Sequence, residues 1–242
     1  MTSKSGQGFV LHARPYRNTS LIVEFFTLEQ GRFGAVARGA RRPQSPFRGQ
    51  LQPFIPLWLA YSGRGSLQQC LQAQARGVPY YLDPSAVYPG LYMNELLMKL
   101  CPVQEPLAPV YEAYQQSLKM LAENTSADHA LRYFERRLLQ ALGYGLNLTS
   151  TAVSEGPIEP MQMYGYEPGT GLLPLMSTST IHGFLGRDIL AYSDEDFTDP
   201  AVLTTAKQIN RLAIEFLLGD KPLGSRQLAQ DLQRCRKRMN YE

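Results

Sequence analysis

No acidic residue stands between Gln30 and Leu82, although the 242-residue chain holds 21 Asp and Glu in all. Other absences bound the possibilities first. No apolar run approaches the ~20 residues that a membrane helix needs, and the opening "MTSKSGQGFVLH" lacks the apolar core of a secretory leader. A cytoplasmic chain without a membrane partner is the expectation. Three cysteines, Cys70, Cys101 and Cys235, are too few and too scattered for a disulfide framework or a tetrahedral zinc site. His12, His129 and His182 are equally dispersed, so no metal is expected. Neither a Walker loop nor G-x-G-x-x-G occurs, and no nucleophile, base and orienter fall together, so neither an enzyme nor a cofactor is expected. The acidic run "SDEDFTD" (193–199) lacks the glycine and ligand spacing of a calcium loop. It reads instead as acids leading into a helix N-terminus.

What is present is a segregated charge. Residues 1–82 carry ten Lys and Arg against Glu24 and Glu29, a net of +8. Residues 83–218 carry 8 basic and 16 acidic residues, and residues 219–242 carry 6 and 3. The N-terminal third therefore faces a polyanion. Arginines and rings interleave there: Arg32, Arg38, Arg41, Arg42, Phe47, Arg48 and Arg64 are the candidate contacts. Single-stranded nucleic acid suits that mixture, because guanidinium groups neutralise phosphates and flat rings stack on unpaired bases. Phe25, Phe54 and Trp58 are assigned to the core, whereas Phe47 on a Pro-rich loop is read as either a stacking platform or packing under the loop. The Pro and Gly of "VARGARRPQSPFRGQLQPF" (36–54) prevent helix and are expected to keep Arg41, Arg42 and Arg48 on a mobile arm.

The hydropathy pattern divides the chain in two. Five short β-rich runs, 8–13, 20–28, 31–39, 53–62 and 66–75, are separated by turn chemistry such as Glu29-Gln30-Gly31 and Gly63-Arg64-Gly65. They predict a small five-stranded barrel over residues 1–80, of OB-fold or SH3-like type. From Pro84 the period becomes helical, predicting a mainly α-helical domain over 81–242 and an α+β chain overall. Stripes end at Pro102, near Asn124-Thr125-Ser126, and at Gly143. Residues 147–190 lose periodicity and form an irregular insertion, with short strands expected around Gly169-Thr170-Gly171. Asp199-Pro200 opens a further helix, with Leu203, Ile209, Leu212, Phe216 and Leu217 inward and Gly219 as its stop. A last helix is expected from Ser225, with Leu228, Leu232 and Cys235 inward. On the third helix, Arg132 and Arg136 stand at i, i+4 and repel unless something acidic binds, with Glu135 a partial compensation for its i−3 neighbour Arg132. They are either a solvated face or the rim of a docking groove for an acidic peptide. The run "RCRKR" (234–238) is either a solvated tail or a second phosphate contact.

Several stretches are similar to the bacterial RecO family of recombinational DNA-repair mediators: "FVLHARPY" (9–16), "ARGARR…GQLQPF" (37–54), "GLYMNELL" (90–97), "RYFERRLLQALGYGLNL" (132–148) and "DKPLGSRQL" (220–228). They are in the family's order and span the chain. The resemblance implies an N-terminal OB-fold, a helical C-terminal domain, binding of single-stranded DNA with duplex DNA left open, annealing of complementary strands, and help in loading RecA. It implies RecR and the acidic C-terminal tail of single-stranded DNA-binding protein as partners, the latter at Arg132 and Arg136. Many relatives have a four-cysteine zinc site where this chain has residues 150–175. Here that window holds no Cys or His, so the insertion is expected to be zinc-free.

Overall fold

Alternating burial along five strands builds the N-terminal part. The computed structural model describes residues 3–123, 125–153, 155–175 and 183–225. The expected last helix, with Leu228, Leu232, Cys235 and the 234–238 run, and His182 lie outside the described residues. Strands β1 (Ser3–Tyr16), β2 (Ser20–Thr27), β3 (Gly31–Ala37), β4 (Leu57–Ser62) and β5 (Leu67–Ala75) close into a barrel of order β1-β2-β3-β5-β4. β3 and β5 pair in parallel and the other neighbours antiparallel. This is an OB-fold. The long β1 serves two partners, giving residues 3–8 to β4 and residues 8–16 to β2. Val10, Val23, Phe25, Phe33, Leu57 and Leu59 fill the interior.

The loop between β3 and β4 is not the mobile arm expected from its composition. Consecutive turns pin it: Arg42 N–H donates to Gly39 O, Ser45 to Arg42 O, Arg48 to Ser45 O and Gln50 to Phe47 O. Phe47 and Leu51, each 7% exposed, plug into the barrel core. Hydrophobic burial of a large ring outweighs the freedom that Pro and Gly would allow at the loop's ends. Trp58 departs from expectation in the other direction. Its neighbours Leu57 and Leu59 point inward, so strand alternation places Trp58 on the outer face, where the Arg76 guanidinium lies 5.1 Å from its ring centre. Phe54 is only part-buried, at φ +68, with its ring against Gly90.

Two helices share the barrel's compact unit, α1 (Pro84–Leu100) and α2 (Ala108–Ala122). They explain why β1 is buried on both sides from Gly8 to Leu11. Phe9 meets Tyr111 and Tyr114 at ring separations of 5.8 and 5.2 Å. Asn94 Nδ2 donates to Leu11 O (3.0 Å), and the Tyr114 hydroxyl donates to Asn94 Oδ1 (2.6 Å). Gly31, at φ +70, must lack a side chain, because a Cβ there would stand 1.9 Å from Glu105 O. The periodicity changes near residue 84, but the compact unit runs through Asn124 and resumes at Pro222.

A carboxylate ties that returning segment to α1. Glu95 accepts from the backbone N–H groups of Gly224 and Ser225 (both 2.9 Å) and from the Ser225 hydroxyl (2.6 Å), with Lys99 Nζ at 3.3 Å. Burial alone would raise its pKa. The bonds from Ser225 and Gly224 and the Lys99 ammonium outweigh burial and hold it below the ordinary carboxylate value. A depressed folded pKa adds stability above the unfolded value of about 4.3, lost as pH falls through the lower folded value. Glu95→Gln is therefore expected to destabilise at pH 7 and to match the wild type by pH 2–3. Urea denaturation across that range checks it, and a pH-independent difference would contradict the assignment.

The second compact unit, Thr125–Lys221, contains α3 (Ala127–Ala141), β6 (Met163–Glu167), β7 (Gly171–Pro174), β8 (Phe184–Leu185), α4 (Gly186–Ser193) and α5 (Pro200–Leu218). The aperiodic insertion forms a three-stranded antiparallel sheet, β7-β6-β8, whose Tyr164, Leu172 and Phe184 share a core with Ile189, Tyr192 and Ile209. Among the described residues no three His, Cys, Asp or Glu gather as a metal site. Asp199 caps α5 as expected, its Oδ1 accepting from Ala201 N–H at 2.8 Å. The buried face of α5 differs from the expected stripe: Val202, Ala206, Ile209 and Ala213 are inward, while Leu212 and Phe216 are 38% and 55% exposed. Small alanines allow close packing on α3 and α4, which counting large side chains alone misses.

Candidate nucleic-acid interface

The acid-free stretch folds so that part of its charge converges. A cleft of about 680 Å³ lies on the outer barrel face, at the ends of β1, β2, β3 and β5. Register explains its members. Tyr16 pairs with Ser20 across the β1–β2 turn, Val36 pairs with Gln69, and Gln69 pairs with Ser62. Opposed residues project on the same side of a sheet, so these side chains share one surface.

Three arginines, Arg17, Arg38 and Arg42, line the cleft, and none of its lining residues among the described ones is acidic. Arg17 occupies the tip of the β1–β2 turn in the left-handed region, at φ 52, with its guanidinium 5.2 Å from the Tyr16 ring centre. Arg38 follows β3 directly. Arg42 sits where Gly39, at φ +68, turns the chain, and the Arg41 N–H donates to Thr19 O at 2.8 Å, tying the basic loop to the β1–β2 turn. All three arginines are exposed. Guanidinium groups in such a cluster gain most from an anionic ligand where, as among the described residues here, no carboxylate competes.

The predicted contacts fall into groups. Arg38 and Arg42 line the cleft, and Arg41 and Arg64 are exposed on loops beside it, Arg64 next to cleft-lining Gly63. Arg48 is exposed but folds back, donating to Pro43 O at 3.3 Å. Arg32 stands apart, bonded to Cys101 O (3.2 Å) and paired with Glu24 (3.6 Å). Phe47 is buried in the core. Sequence reading missed Tyr16 and Arg17, which precede the acid-free run. The signal lay in Arg17-Asn18-Thr19, the polar tip between the first two β-rich runs.

In the second unit, Arg132 is 4% exposed and donates from Nη2 to Glu135 Oε1 at 2.9 Å. Asn210 Nδ2 donates to the other Glu135 oxygen at 3.0 Å, and the Tyr192 hydroxyl donates to Asn210 Oδ1 at 2.6 Å. Burial, then the Glu135 charge, push the Tyr192 phenol well above its usual range. Arg136 donates to Tyr192 O (2.8 Å) and stands 3.5 Å from Glu195, whose carboxylate is 2.8 Å from Arg137. The i, i+4 repulsion is thus relieved internally, by Glu135 for Arg132 and by Glu195 for Arg136.

A closed OB barrel with an arginine-lined cleft on its outer face, followed by a helical region, defines an OB-fold protein with a cationic groove. The chain belongs to the recombination protein O family: its N-terminal model matches residues 1–78 and its C-terminal model residues 81–227. Curated relatives named DNA repair protein RecO are 40% identical in Actinobacillus succinogenes (92% of this chain, 93% of the relative), in Haemophilus influenzae (94% and 96%) and in Coxiella burnetii (91% and 95%).

Proposed function

We propose that this chain is a recombinational DNA-repair mediator that binds single-stranded DNA along the cleft without reading sequence. The observation carrying the reading is the acid-free cluster of Arg17, Arg38 and Arg42, flanked by Arg41 and Arg64. Arginines neutralise the phosphates, and strands so neutralised repel less and anneal when complementary. No bond is made or broken in this role. Delivery of DNA to RecA, with RecR and the tail of single-stranded DNA-binding protein as partners, belongs to the same reading and rests on the family relationship. In it, the partly exposed Arg136, with Arg137, exchanges the Glu195 carboxylate for the acidic tail, whereas Arg132 is buried against Glu135. Five arginines on phosphates give a slope of about −3.5 for log affinity against log salt on single strands. Fluorescence anisotropy between 50 and 300 mM salt checks this, and a slope near zero would defeat the proposal.

A further inference from the structure

Beyond the cleft, the outer face of β4 and β5 carries a ring that the arginine cluster does not use. Neither strand contains Lys, Arg, Asp or Glu, whereas soluble surfaces ordinarily mix charges of both signs. Leu57, Leu59, Cys70 and Ala73 belong to the core, so alternation turns Trp58 and Ala60 outward on β4, with Gln74 and Gln72 opposite them on β5. The register shift between Ala60 and Tyr61 leaves Leu71 44% exposed, and Leu67, which lines the cleft, is 46% exposed. The face therefore begins in the cleft, at Ser62, Leu67 and Gln69, and reaches Trp58 four residues back along β4. At the usual strand rise that is about 13 Å.

Trp58 is part-exposed, and Arg76, exposed just past the end of β5, holds its guanidinium 5.1 Å from the ring centre. The attraction of the cation for the ring fixes the indole in place. Arg76 belongs to the same acid-free run as Arg38 and Arg42. Other directions out of the cleft differ. On the outer face of β2 and β3, Glu24 pairs with Arg32 at 3.6 Å. On the β1 side of Trp58, Glu29 accepts from the Gln7 N–H at 3.0 Å. On the β5 side stand only the neutral amides of Gln69, Gln72 and Gln74 and the exposed Leu71. A polyanion leaving the cleft is repelled least along that side, and a cation waits at its end.

We infer that the bound strand leaves the cleft along the outer face of β5 and stacks one unpaired base on Trp58, with Arg76 holding the ring and meeting that nucleotide's phosphate. This rests on the single-strand reading above. An aromatic ring accepts the flat face of any base, so the contact adds affinity without reading sequence. In a duplex the bases are stacked on one another, and the indole has no free face to meet. Trp58 therefore adds to the affinity for unpaired DNA alone.

Trp58 is the chain's one tryptophan, so its emission reports on this site in the unaltered full-length protein. Stacking on a base quenches indole fluorescence. Titration with oligo(dT) should quench the emission in step with the anisotropy change, whereas an abasic strand of equal length should bind without quenching it. Trp58→Ala should weaken oligo(dT) binding about tenfold, within the range for one stacked base, while abasic-strand affinity and Tm stay at wild-type values. Trp58→Phe should restore most of the loss. Arg76→Ala should lower the salt slope on oligo(dT) by about 0.7, one phosphate contact in addition to the five at the cleft. Saturable oligo(dT) binding with unchanged emission would overturn the inference, whether or not the variants fold. So would equal quenching by the abasic strand, or equal losses on both strands with a lowered Tm in Trp58→Ala. A flat salt slope in the wild type would instead remove the single-strand reading itself.

Discussion

Arg38→Glu with Arg42→Glu is expected to weaken single-stranded DNA binding about a hundredfold or more, alike on every sequence. Both side chains line the cleft, are exposed and have no carboxylate partner among the described residues. A charge-assisted contact contributes about 1.5–3 kcal/mol, so losing two costs at least ~3 kcal/mol, roughly a factor of 100. Reversal adds repulsion from the phosphates. The salt slope should fall by about 1.4, the share of two single-strand contacts. The fold should tolerate the change, since neither residue is part of the barrel core. Equilibrium binding at several salt concentrations and a thermal melt check both halves. A loss confined to one sequence would mean that the arginines read bases rather than phosphates.

Glu135→Ala is expected to destabilise the second unit by about 3–5 kcal/mol, the usual cost of breaking a buried ion pair. Its carboxylate accepts from Arg132 on one oxygen and Asn210 on the other, at 2.9 and 3.0 Å, and both partners are buried. Removing it leaves a guanidinium charge in the interior and an amide without its acceptor, and Tyr192 loses its link to α3 through Asn210. Glu135→Ala with Arg132→Leu should recover part of the loss, because the orphaned charge is gone. Chemical denaturation of the three proteins tests this. A small effect of the single change would show that water reaches the pair.

Much of the barrel was readable because strands and their turns are local. Gly31, Gly63 and Gly65 mark turns that Glu29-Gln30-Gly31 and Gly63-Arg64-Gly65 announce, and all three glycines have positive φ. Asp199-Pro200 and Gly219 bracket α5 for similarly local reasons. The cleft was less readable because its members come from residues 16–20, 36–42 and 62–69, and only strand register unites them. Trp58 was assigned to the core but lies on the outer face, and of the two readings of Phe47 the structure shows packing under the loop. A ring on a loop can turn inward to plug a barrel end, and a ring on a strand follows the alternation of its neighbours. Arg132 looked available although Glu135 stands three positions along the same helix, because only folding buries that pair and brings Asn210 of α5 to its carboxylate. The eight-residue α4 is too short to show a period, and it was read as part of an irregular segment.

The clasp on Glu95 has a consequence for how the chain is made. Ser225 lies 130 residues beyond its acceptor, and the whole second unit is encoded between the parts that it joins. Protein synthesis at about 5–20 residues per second delivers that closing segment several seconds or more after α1 and α2 have emerged. The nascent barrel unit thus passes through an interval in which the Glu95 carboxylate, its Lys99 neighbour and the uncovered side of α1 wait for a strap not yet synthesised. A translational pause within the intervening stretch would lengthen that interval, and with it the exposure of an unfinished unit to proteases.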